Sequence, residues 1–199
     1  MFCNIGPLLV HAVAAITMMS FSSYYHLFLC ENAERGNLLR CFDFVGICVM
    51  ICGSTTAPFY YGFQCEASQF WGSFYLLQVW SLCLIAMFLT LYYKDDPSKK
   101  MLNAISYIVA GYSTVPGIIH LAYYTEDELV RHFAVWPWLV GGIFYAVGAI
   151  IYALFIPDRF FPNSTFMSTW FQSHTIFHWM ILAAAIVHFW ASVRVFHER

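Results

Sequence analysis

Six apolar runs constrain this chain more than any other feature: residues 7–29, 41–62, 70–93, 102–124, 134–156 and 170–192. Each comes close to the ~20 residues that carry an α-helix across a bilayer. Only 10% of the 199 residues are charged, while 61% are hydrophobic. A soluble domain is about a quarter charged, so a chain with this balance cannot cover itself in water. That excludes a disordered segment, a coiled coil and an ordinary soluble enzyme. A net charge of −2 with no basic tract excludes a nucleic-acid binder. A transmembrane β-barrel would need ~10-residue alternating segments, and none are present. The expected fold is therefore all-α: a polytopic transmembrane helix bundle of six spans, one domain over 1–199. The connections are short, so consecutive spans should be antiparallel neighbours. Pro58, Pro116 and Pro137 fall inside the runs, which membrane helices tolerate when neighbours satisfy the freed backbone groups. Gly141, Gly142 and Gly148 fit either close helix approach or lipid-facing filler.

Seven cysteines (Cys3, Cys30, Cys41, Cys48, Cys52, Cys65 and Cys83) show neither a CxxC pair nor a disulfide-framework spacing. They read as small apolar membrane residues. Met1 to Gly6 carries no positive stretch, so a cleaved signal peptide is not expected. Orientation follows from the basic residues. On the side reached at the end of the first run lie Arg35, Arg40, Lys94, Lys99, Lys100 and Arg159, against Arg131, Arg194 and Arg199 on the other. The excess marks the first side as cytoplasmic and puts both chain ends, the C-terminus included, outside the cytoplasm or in a lumen. The sequon Asn163-Ser164-Thr165 then falls on the cytoplasmic side and should stay unglycosylated.

Polar groups inside the runs carry the functional information. Of eleven acidic residues, Asp43 alone sits within a run. An intramembrane acid is costly and marks a functional site by default. His26 lies near the cytoplasmic end of the first run, Asp43 near the cytoplasmic start of the second, and His174 and His178 in the first turns of the sixth. At ~1.5 Å per residue these four share one depth, about one to two turns below the cytoplasmic surface. His174 and His178 are four residues apart and share a helix face, as do Ser22 and His26. Three imidazoles with a carboxylate and a hydroxyl nearby match the three-histidine pattern of a catalytic zinc, which leaves one position open for water. By ligand type, copper, iron or nickel would also suit. A lone membrane histidine is more often a helix–helix hydrogen bond than a ligand, and HxxxH alone is a weak motif, so a metal site and a polar network both stay open on pattern. Thr175 follows His174, so this is not HExxH, and any general base must come from another helix. His188, roughly 15 Å beyond His178, reads as packing or lipid contact. His11 and His120 lie near the opposite surface. The aromatic crowding at Phe59, Tyr60, Tyr61, Trp136 and Trp138 reads as interface belt and packing.

Several stretches resemble the progestin and adipoQ receptor family. Ser22-Ser23-Tyr24-Tyr25-His26 and Phe42-Asp43-Phe44-Val45-Gly46-Ile47 match its Ser-xxx-His and Asp-aromatic-x-Gly-Ile signatures. Gly53-Ser54 and Tyr60-Tyr61-Gly62-Phe63-Gln64-Cys65 continue the match, and Val115-Pro116-Gly117-Ile118-Ile119-His120 fits Val-Pro-x-x-x-His. Asp158-Arg159-Phe160-Phe161-Pro162, Trp170-Phe171-Gln172-Ser173-His174-Thr175-Ile176-Phe177-His178 and Ala183-Ala184-Ala185-Ile186-Val187-His188-Phe189 resemble its adiponectin-receptor branch.

The resemblance implies a seven-helix membrane protein with a cytoplasmic amino end, inverted relative to G-protein-coupled receptors. The six runs lack a counterpart of the first helix, as expected of a truncated fragment. The resemblance implies Zn2+ held by His26, His174 and His178, with Ser22 and Asp43 around the metal-bound water. It also implies ceramidase-type hydrolysis of a lipid amide such as ceramide, and receptor signalling that affects lipid and energy metabolism. In that chemistry Asp43 accepts a proton from water and delivers it to the leaving amine, and Ser22 orients the water or the carbonyl. Two rival readings remain. One is a receptor answering an extracellular ligand, in which the zinc is structural. The other is bis-histidine haem binding, which a single small ion fits better because His174 and His178 share one face and one depth.

Overall fold

The computed structural model describes residues 4–28, 33–63, 68–125 and 128–198, and among them there is no β-strand. Helices α1 (Gly6–Phe28), α2 (Ala33–Gly62) and α3 (Gln69–Tyr92) each form one unbroken rod. They are followed by α4 (Lys100–Tyr112), α5 (Val115–Tyr124), the short α6 (Glu128–Val130), α7 (Trp136–Ala153), the short α8 (Thr165–Trp170) and α9 (Ser173–Glu198). Six helical stretches are long and apolar enough to cross a membrane, and each overlaps one of the six apolar runs. The chain is an all-α integral membrane protein.

Four boundaries differ from the sequence expectation, each for a local reason. The loop expected over 30–40 is helical from Ala33, because Ala33, Glu34, Arg35, Leu38, Leu39 and Arg40 are strong helix formers. Asp43 consequently sits about three turns into α2. The run 102–124 is two helices. Pro116 falls in the first turn of α5, where its missing N–H costs nothing. The hydroxyls of Ser113 and Thr114 donate to the carbonyls of Ala110 at 2.6 Å and Gly111 at 2.7 Å, which supplies partners to the last turn of α4 at the joint. The fifth run is likewise jointed. A π-helical turn over Arg131–Val135 leads into α7, with Pro137 in the first turn of that helix. The last run begins at Ser173 rather than 170 and continues to Glu198.

Packing places α2 at the centre, against α1, α3, α4 and α9. Small residues set the close approaches. A Cβ on Gly53 would collide with the Ala14 methyl, one on Gly46 would stand 3.1 Å from Met18 Cα, and one on Gly72 would stand 3.0 Å from the Phe59 carbonyl. Gly53→Ala should therefore push α1 off α2 and cost roughly 1–3 kcal/mol, as overpacking does. The check is the thermal midpoint in detergent: a clear drop is expected, and an unchanged midpoint would contradict the contact. Several hydroxyls within the spans are paired internally. Thr55 Oγ1 donates to Ile51 O at 2.7 Å, Thr56 Oγ1 to Cys52 O at 2.7 Å and Thr90 Oγ1 to Ala86 O at 2.9 Å, while the Tyr107 hydroxyl also meets Thr90. Cys41, Cys48, Cys52 and Cys83 are free thiols buried in the core, as small apolar residues would be. Cys3, Cys30 and Cys65 lie outside the described residues. Leu9, Val13 and Ile16 on α1 and Leu77, Leu84 and Phe88 on α3 face outward, as a lipid-bathed surface requires. Between α3 and α4, outside the spans, Asp96 accepts from the Ser98 amide at 2.9 Å and its hydroxyl at 2.7 Å, which holds the carboxyl below its usual range.

Candidate metal centre

α1 ends two residues after His26, and α9 begins one residue before His174. Both helices therefore bring imidazoles to the same end of the bundle. The ligand nitrogens of His26, His174 and His178 all lie within 4.8 Å of one another. His26 Nε2 and His174 Nε2 are 3.0 Å apart, and His174 Nε2 and His178 Nε2 are 2.9 Å apart. The hydroxyl of Ser22, one turn before His26 and buried, lies 3.1 Å from His178 Nε2. Asp43 is half-buried on α2.

This geometry is poorly explained by hydrogen bonding alone. A neutral imidazole nitrogen carries either a proton or a lone pair. His174 Nε2 has a neighbouring Nε2 on both sides, so the trio can form at most one unshared N–H···N bond. A cation among the three nitrogens would satisfy all three lone pairs at once. Imidazole nitrogens about 2.0–2.1 Å from one ion stand roughly 3.3 Å apart when tetrahedral, within a few tenths of an ångström of the two separations from His174 Nε2. The donor set therefore fits a divalent metal ion. One feature departs from the usual pattern. Ligating histidines generally donate their second ring N–H to an acceptor, but His178 Nδ1 is buried without a hydrogen-bond partner among the described residues.

A cavity of about 390 Å³ adjoins the trio, lined by Met19 of α1 and by Gln172, Thr175, Trp179 and Leu182 alongside the histidines. The Tyr152 ring of α7 packs edge-on against His174, with centroids 5.0 Å apart. The first turn of α9 is held by Asp158, whose carboxylate accepts the Ser173 amide at 2.8 Å. A carboxylate there both caps a free N–H and complements the helix dipole. Asp158→Ala should cost about 1 kcal/mol and loosen the turn that carries His174. Hydrogen exchange at the start of α9 should rise with the rest of the helix unchanged. Equal exchange there would rule out the cap.

His26, His174, His178 and Ser22 thus meet at one end of the bundle, whereas Asp43 of α2 makes no hydrogen bond with them among the described residues. His188 is 5% exposed and lies between α7 and α9, its Nε2 donating to the Trp138 carbonyl at 3.2 Å, so it is packing rather than lipid contact. His11 is buried, with its ring edge-on to Phe189 at 5.5 Å. His120 is far from the trio, with its Nδ1 2.9 Å from the Tyr75 hydroxyl. Phe59 and Tyr61 are core residues, whereas Tyr60 and Trp136 face outward. Two glycines of α7 serve helix approach: Gly141 leaves room for the His188 ring, and a Cβ on Gly148 would stand 2.9 Å from Met180 Cβ. A Cβ on Gly142 would meet no other helix within 4 Å. Sequence reasoning missed Tyr152, Gln172, Trp179, Met19 and Leu182. Gln172 and Trp179 flank the histidines in the chain, a usable signal, but nothing local marks Tyr152 or Met19.

Residues 3–189 match the model of the family described as haemolysin-III related. The chain is 34% identical over 179 residues to the adiponectin receptor protein of Drosophila melanogaster, covering 89% of this chain and 39% of that protein. It is 31% identical over 180 residues to progestin and adipoQ receptor-like protein 1 of Caenorhabditis elegans, covering 88% of this chain and 40% of that protein. The rice heptahelical transmembrane protein ADIPOR2 is 27% identical over 184 residues, covering 92% of this chain and 79% of that protein. The chain thus spans about two-fifths of the length of the first two relatives. The family match runs from before α1 to well within α9 and takes in all three clustered histidines, so this chain belongs to the haemolysin-III-related family of progestin and adipoQ receptors and resembles its adiponectin-receptor members.

Proposed function

We propose that this protein is an adiponectin-receptor-like membrane receptor whose His26, His174 and His178 hold Zn2+ and which hydrolyses a lipid amide such as ceramide. The observation that carries this reading is the meeting of three imidazole nitrogens within 4.8 Å of one another, His174 Nε2 standing 3.0 Å from His26 Nε2 and 2.9 Å from His178 Nε2, beside a cavity of about 390 Å³. Imidazole suits zinc, and bound zinc supplies an acidified water and a Lewis acid for the amide carbonyl. The remaining work falls to this chain's own residues. Asp43, a carboxylate with no hydrogen bond among the described residues, takes the water proton and later passes it to the leaving nitrogen. The Ser22 hydroxyl, 3.1 Å from His178 Nε2, orients the water or the carbonyl. Met19, Trp179 and Leu182 give an acyl chain an apolar wall. The excess of basic residues at this end of the bundle supports a centre on the cytoplasmic side and a C-terminus outside the cytoplasm.

The second reading is a non-enzymatic signalling receptor, answering an extracellular ligand, in which zinc pins α1 to α9. A structural zinc is normally closed by four protein ligands, whereas three histidine nitrogens cluster here next to open space. That contrast favours hydrolysis. The deciding experiment measures metal content and fatty-acid release from ceramide on the same purified sample. Stoichiometric zinc with chelator-sensitive release is expected. Stoichiometric zinc without release would leave the signalling reading, and absence of zinc would remove both.

A further inference from the structure

We infer a second, separate polar site in the membrane interior: a binding site for one ordered water molecule between α2, α7 and α9. It lies about ten residues along α9 from His178, roughly 15 Å away. A cavity of about 10 Å³ is lined there by Ser54, Trp138, His188 and Ser192 among apolar neighbours. A space of that size admits about one water, and such a space stays dry when its walls are apolar and fills when two to four polar partners face it.

The partners can be counted. His188 Nε2 donates to the Trp138 carbonyl, so in the neutral ring Nδ1 carries a lone pair. That Nδ1 is buried and has no partner among the described residues. Trp138 Nε1, which can only donate, is also buried without a partner. The Ser192 hydroxyl donates to the His188 carbonyl at 2.8 Å and the Ser54 hydroxyl to the Ile51 carbonyl at 3.3 Å, which leaves both oxygens with spare lone pairs. One water accepts from Trp138 Nε1 and donates to His188 Nδ1 and to a serine oxygen. Those three bonds are the usual number for an internal water, and they leave neither orphan unsatisfied. Tyr145 packs its ring on His188 at 5.8 Å but does not line the cavity. Gly141 completes the arrangement, because a Cβ there would strike the His188 imidazole and drive it from the site.

Hydroxyl-radical footprinting of the purified protein in detergent tests this, because radicals formed at a bound water label buried side chains that bulk solvent cannot reach. Phe59, fully buried and away from the cavity, is the dry control. Labelling of Trp138 and His188 is expected at least tenfold above Phe59. Trp138→Phe keeps most of the ring and removes the donor, and His188 labelling should then fall to the control level. Wild-type labelling no higher than that of Phe59 would overturn the site without reference to any variant. Undiminished His188 labelling in a folded Trp138→Phe protein would also overturn it.

Discussion

His178→Ala is expected to strip the metal. It removes one of three clustered nitrogens and leaves His26 and His174 as the two remaining imidazole donors of the group found among the described residues. Loss of an outer partner of a ligand typically costs about 10–100-fold in metal affinity, and loss of a ligand should cost more. Elemental analysis of the purified variant should show zinc well below stoichiometric where the wild type is loaded. His174→Ala should do the same, since His174 Nε2 touches both other nitrogens. His120→Ala is the control, because that ring belongs to the Tyr75 network away from the centre. Unchanged zinc in both trio variants would remove the metal site, and with it both proposed functions.

Asp43→Asn separates the metal from the chemistry. The amide is nearly the size of the carboxylate but cannot take a proton, so the three histidines should keep their metal. Removal of a positioned general base typically costs 10²- to 10⁴-fold, and ceramide hydrolysis should fall within that range at full zinc occupancy. If turnover survives intact, another group handles the proton. If zinc is lost as well, Asp43 supports the ligands themselves. Ser22→Ala should act more mildly, because a hydroxyl 3.1 Å from His178 Nε2 orients rather than ionises.

The six spans were legible in the residues because membrane insertion is a local property: a run long and apolar enough to span does so whatever its neighbours are. The shared depth of His26, His174 and His178 was legible for a related reason, since a helix of fixed rise turns position in the chain into height in the bilayer. Height is only one coordinate. Rotation of α1 and α9 about their own axes decides whether imidazoles at one level meet or face lipid, and that is set by packing at contacts such as Gly53 on Ala14 and Gly148 on Met180. The joints at Ser113–Thr114 and at the π turn were hidden inside apolar runs for the opposite reason, because hydropathy does not register which backbone carbonyls need a partner.

What a linear reading could establish here was solvent, span and level, each a property of one helix in lipid. The approach of His26 Nε2 to His174 Nε2, the Asp158 cap on α9, the Tyr152 ring on His174 and the burial of His188 against Gly141 join residues 15 to 148 positions apart. Such contacts depend on how helices turn and lean on one another, and in a chain where nearly every surface is apolar, no pattern of hydrophobic and polar residues tells one face from the next.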